Sequence, residues 1–131
     1  MPLLDPTGLI DGPAADPLAN TTPVADLLAR NEPLCAIAFP AFTDGRGFSL
    51  ARALRQAGWR GRLRASGELI PDQFAFALDC GFDEVEISAE RLARQPVEQW
   101  LAALDVVDVG YQPGTQRTDI FARRRAARAT A

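Results

Sequence analysis

This sequence predicts a single α/β domain, and three observations predict it. From Leu34 onward, short apolar runs alternate with stretches whose apolar residues recur at helical spacing. Glycine or proline marks most of the boundaries between them. A length of 131 residues suits one domain with a core of its own. The expected sheet has four strands, mostly parallel, arranged either openly or as part of a (β/α) barrel. An irregular N-terminal segment precedes it. Residues 1–33 read as a lead-in with a short helix, 34–112 as the α/β core, and 113–131 as an arginine-rich tail.

Each element has its own signal. Residues 1–22 hold four prolines and the turn-forming Asn20-Thr21-Thr22. Thr22 as N-cap and Pro23 in the first position would open a helix ending at Arg30. Leu34–Phe39 is nearly continuously apolar, as in a strand buried on both faces. The polar loop Thr43–Gly47 follows. Phe48, Leu50, Ala51, Leu54 and Ala57 then make a helical stripe closed by Gly58. Arg62–Ser66 reads as the second strand and Pro71–Cys80 as the second helix, with Gly81 behind it. Glu84–Ser88 alternates as a third strand. Pro96–Leu104 is the third helix, and Val106–Tyr111 the fourth strand, closed by Pro113-Gly114.

Composition excludes several chemistries. With no histidine, the chain has no imidazole base, ligand or pH switch. All 14 basic residues are arginines, so Schiff-base chemistry and a P-loop lysine are also excluded. Cys35 and Cys80 lie in no CxxC pair and read as buried thiols; a redox-active pair would need the two to be adjacent. Neither a metal nor a cofactor is expected from these residues. Met1–Asp16 is acidic and proline-rich, without the basic and apolar regions of a signal peptide. No apolar run approaches the roughly 18 residues of a membrane span. A cytoplasmic location is expected.

Charge is segregated. Arg46–Arg64 holds six arginines and no acid, Glu68–Asp108 ten acids and two arginines, and Arg117–Ala131 five arginines and one acid. Such asymmetry orients partners. The tail arginines read as a solvated surface; binding of nucleic acid through them is the minor alternative.

Ligands of parallel α/β folds collect at the carboxyl ends of the strands. After the first strand come Asp44, Gly45, Arg46 and Gly47. Glycine allows close backbone approach, helix N-terminal amides favour anions, and Arg46 would clamp an oxyanion. The competing reading is a tight turn in which Asp44 caps the helix and Arg46 pairs with an acid. Glu68 and Asp72 follow the second strand, either as an acid–base pair or as a solvated acid beside a helix-start acid. Gln73 would bond a ligand or the Asp44 loop. Ser88, Glu90, Tyr111 and Gln112 complete this expected rim. Arg60, Arg62 and Arg64 alternate, so a strand would present them on one face, as a landing strip for an acidic partner or as an exposed edge.

The segment Phe39–Ser88 carries FPAFTDGRGFSLARALR, then GWRGRLRASGE, then Asp72-Gln73 and Cys80-Gly81-Phe82-Asp83. It resembles a bacterial domain-of-unknown-function family of small proteins, with Tyr111-Gln112 as a further match. Members are often encoded beside assimilatory sulfite reductase and the sulfonucleotide reductase, and are labelled oxidoreductases of sulfite reduction. The family more often has Asp where Glu68 stands and Arg where Asp79 stands. The resemblance implies a pathway rather than a reaction, because no flavin, nicotinamide, haem or cluster signature accompanies it. The expected function is that of an accessory protein of sulfur assimilation, assisting sulfite reductase by protein contact. The alternative is a small enzyme or sensor holding an oxyanion or sulfonucleotide at the rim. Exposed sheet edges would also favour a homo-oligomer.

Overall fold

The apolar run at Leu34 does seed a sheet, but the sheet is larger and more mixed than expected. The computed structural model describes residues 1–111, with side chains to residue 104. In chain order the elements are β1 (Leu3–Asp5), β2 (Gly8–Ile10), α1 (Val24–Arg30), β3 (Leu34–Phe39), α2 (Arg46–Gln56), β4 (Arg62–Gly67), a 3-10 turn (Pro71–Gln73) running into α3 (Phe74–Cys80), β5 (Glu84–Glu86), α4 (Ala89–Arg94) and α5 (Val97–Tyr111). Five strands form one open sheet in the order β2-β1-β5-β4-β3. β3, β4 and β5 are parallel; β1 runs antiparallel to both β5 and β2. The expectation of four mostly parallel strands, with a partial barrel among its forms, is corrected accordingly.

Three differences have local causes. Val106–Tyr111 is the end of helix α5 and not a strand. No glycine, proline or asparagine separates Leu104 from Val106, and the stripe Val97, Trp100, Leu101, Leu104 leads straight on, so continuity outweighs the strand preference of valine. The irregular lead-in begins with the β1–β2 hairpin. Its turn is tied by Asp5, whose carboxylate accepts from the Thr7 backbone N–H at 2.8 Å. Finally, the third strand stops at Glu86. Ser88 instead caps α4, its hydroxyl accepting from the Arg91 N–H at 3.1 Å. Thr22, by contrast, is not the cap of α1: Pro23 holds that position, and the Thr22 hydroxyl donates to the Ala19 carbonyl.

Strand alternation separates two faces. Cys35, Ile37 and Phe39, Leu63 and Ala65, Val85 and Ile87, and Leu4 share one of them. These side chains form the core with Leu27, Phe48, Leu54, Phe74, Leu78 and Trp100 from the helices. Phe39 anchors it, its ring 4.9 Å from Phe48 and 5.6 Å from Phe82. The other face is polar. Arg62, Arg64 and Ser66 of β4 lie beside Glu84 and Glu86 of β5 and bond to them across the strands. Residues 11–17 pass over this face as a strap. The Pro13 carbonyl accepts from Arg64 at 2.8 Å, and Leu18 then pairs with the far edge of β3 through two backbone bonds of 2.8 Å. No helix among the described residues is long and apolar enough to cross a membrane.

Candidate functional site

The carboxyl ends of β3, β4 and β5 lie side by side, and their following loops form the rim. The loop after β3 is organised by Asp44. Its carboxylate accepts from the Arg46 backbone N–H at 3.2 Å, from the Arg46 guanidinium at 2.9 and 3.0 Å, and from the buried Asn20 amide at 3.0 Å. The Arg46 side-chain bonds, then Asn20, hold the Asp44 carboxyl far below the ordinary carboxylate range. Arg46 is shifted up in return by the same bonds. Asn20 ends the stretch that follows the strap, so this one carboxylate ties the N-terminal segment to the rim. Of the tight-turn reading, the arginine–acid pair is present, with Asp44 itself as the acid, whereas the expected cap is not: Gly45 holds the N-cap position of α2 without a side-chain bond.

A carboxyl depressed on folding stabilises the fold above its unfolded pKa, and that contribution fades as pH falls towards the lower folded value. The Asn20–Asp44 tie is therefore expected to survive acidification through about pH 4, the ordinary aspartate value. The side-chain amide resonances of Asn20 should stay in place over that range. A titration step centred there would contradict the arrangement.

Two glycines let the rim close on itself. A Cβ on Gly47 would lie 2.5 Å from the Phe39 ring, so α2 starts directly against the core aromatic. Gly67, at φ +130°, ends β4 where the chain turns back, and Glu68 N–H donates to the Phe39 carbonyl at 2.8 Å. Gly45 faces open space.

The remaining rim residues are also engaged with the protein. Glu68 pairs with Arg91 of α4 at 2.8 Å rather than forming a pair with Asp72, which stands exposed on the 3-10 turn. Gln73 accepts from the Ile70 N–H and donates to the Phe42 carbonyl at 2.6 Å, so it braces the loop after β3. Of the arginine row, only Arg60 is exposed. Arg62 bonds Glu84, and Arg64 is wholly buried on the strap-covered face. Cys35 and Cys80 are both buried. Burial pushes the Cys35 thiol up. Gln112 and the arginine-rich tail lie outside the described residues. Among the described residues, no three Cys, Asp or Glu side chains converge as a metal-binding group.

What the rim does offer to solvent is aromatic. Phe42 and Phe76 are each about half exposed, at 47% and 48%. Gln73 links them: it holds the Phe42 carbonyl and precedes Phe76 by one helical turn. Phe76 leans edge-on against Phe48 at 4.9 Å, and the exposed Arg52 lies over its ring at 5.8 Å. Arg52 also donates to the Cys80 sulfur at 3.3 Å. Phe42, Arg52, Phe76, Arg91 and Asn20 were not among the sequence candidates. Phe76 did carry a signal, as a bulky aromatic off the buried stripe of its helix.

These features define a small α/β protein with a mixed sheet, a strapped polar face and an aromatic rim flanked by arginines. The chain belongs to the bacterial protein family of unknown function DUF934, whose model matches residues 16–121. No curated protein and no solved structure matches it.

Proposed function

We propose that this protein is a non-catalytic, cytoplasmic accessory factor of bacterial sulfur assimilation that docks on sulfite reductase, or on a neighbouring protein of that pathway, through its rim. The observation that carries the docking reading is the pair of exposed rings, Phe42 and Phe76, with the exposed Arg52 over the Phe76 ring. Aromatic and arginine side chains dominate the binding energy of protein interfaces. The Arg52 cation selects an acidic partner surface. The pathway comes from the resemblance of Phe39–Ser88. An oxyanion site at the same rim is less well supported, because an anion approaching Arg46 would meet the Asp44 carboxylate already bound to it.

The test is a titration of this protein against the sulfite reductase haemoprotein at several salt concentrations. Affinity should fall as salt rises. Phe76→Glu should weaken it by about 10- to 100-fold, the effect of losing a central aromatic contact. Binding that ignores both salt and Phe76→Glu would reject the rim as the docking face.

A further inference from the structure

A concavity lies at the opposite end of β3, away from the rim. It is a cleft of about 580 Å³ between the strap and the start of β3, within the roughly 300–1,000 Å³ range of small-molecule sites. Apolar groups supply part of its wall: Ala15 and Leu18 from the strap side, Leu34 and Ala36 from β3, Leu27 from α1, and the ring of Trp59.

Both walls are fixed in advance. The strap is pinned on either side of the cleft, by Arg64 at Pro13 and by the backbone bonds of Leu18 to β3. Trp59 is held by Arg55, whose guanidinium lies 5.3 Å from the ring centroid. Arg55 is itself locked by bonds to the Trp59, Gly61 and Gly81 carbonyls and to Asp83. The benzo edge of the Trp59 ring also packs so close to Gly61 that a Cβ there would overlap it. A ring held this way serves as a wall for stacking at little entropic cost.

The charges beside these walls select the ligand. The described lining carries Asp16 and Glu32 against Arg30 alone. Arg30 is already paired to Glu32 at 2.9 Å. The excess is negative and belongs to Asp16.

We propose that this cleft binds a small planar aromatic cation, its ring against Trp59 and its positive group at Asp16. The site is separate from the docking rim and stands whether or not that reading holds. The test uses 2-naphthylmethylammonium and 2-naphthoate as probes of the same ring and opposite charge. The two tryptophans give two indole N–H resonances. Trp100, buried and bonded to the Gln95 carbonyl, serves as an internal control of the fold. The cation should shift the Trp59 resonance saturably and leave Trp100 in place. It should bind about three- to fivefold more tightly than the anion, the scale of one partly solvated charge pair. Asp16→Asn should erase that preference, and Ala15→Leu should weaken both probes by filling the cleft, with the Trp100 signal unchanged. A Trp59 shift that is absent or fails to saturate, or an anion that binds as well as the cation, would overturn the proposal.

Discussion

Replacing Glu84 with alanine is expected to destabilise the protein by about 3–5 kcal/mol, the cost of leaving a buried charge without its partner. Glu84 is only 2% exposed and receives both Arg62 and Arg64, the latter at 2.7 Å. Arg64 is wholly buried. Its other bond goes to the Pro13 carbonyl, its Nη2 has no bonding partner, and Glu86 stands 3.9 Å away. Without Glu84 this guanidinium would keep only the more distant Glu86, at 3.9 Å. Such a loss is a large share of the 5–15 kcal/mol that typically holds a domain. It would be read from urea unfolding at constant slope. The double variant Arg64→Met with Glu84→Leu should recover much of the loss, since apolar replacement of a whole buried pair is often neutral. The double variant should also loosen the strap, because Pro13 loses its donor, so amide exchange at residues 11–17 should quicken while the core stays protected. A cost under about 1 kcal/mol for Glu84→Ala would place the pair in the class of solvated surface bridges.

Gly67→Ala is the second large effect, expected near 3 kcal/mol from backbone strain together with a forced shift. At φ +130° an L residue is strained, and the added Cβ would sit 2.4 Å from the Phe39 carbonyl oxygen, a backbone atom with little room to move. That carbonyl also accepts the Glu68 N–H, so the substitution displaces the rim where β3 and β4 end together. Gly45→Ala is the matched control. Its Cβ would meet nothing within 4 Å and its φ is −85°, so stability should change by less than about 0.5 kcal/mol. Equal effects at the two glycines would show that the rim does not depend on close approach at Gly67.

The central half of the fold was legible because its signals are local. β3 is an uninterrupted apolar run, α2 has a clean stripe, and the chain from Arg62 to Cys80 carries its own stops. The parts that were missed depend on distant partners. Leu3–Asp5 and Gly8–Ile10 are three residues each, too short to show a period, and become strands because β5 offers an edge for β1. The capping role of Ser88 was hidden by the strand-like alternation before it. Of the arginine row, Arg62 and Arg64 share a face of β4, but Arg60 precedes the strand, and the expected landing strip or exposed edge is corrected because β4 lies inside the sheet. The burial of Arg64 came from the glutamates of β5 opposite and the strap above, neither of which a single strand reveals. At the rim, the residue types pointed to ligand chemistry, whereas in space Asp44, Glu68 and Gln73 each bond another part of the protein. Phe42 and Phe76 stand out only once the loops are placed.

The docking reading is tested most directly by native mass measurement of this protein mixed with sulfite reductase at low salt, comparing wild type with Arg52→Glu and Arg60→Glu. Arg52 lies over Phe76 at the rim, whereas Arg60 is also exposed but precedes β4 at the opposite end of the sheet. The expected result is a stoichiometric wild-type complex that Arg52→Glu weakens about tenfold or more and Arg60→Glu leaves within about twofold. No complex with wild type, or equal losses from the two reversals, would contradict a docking face built on Phe42, Phe76 and Arg52.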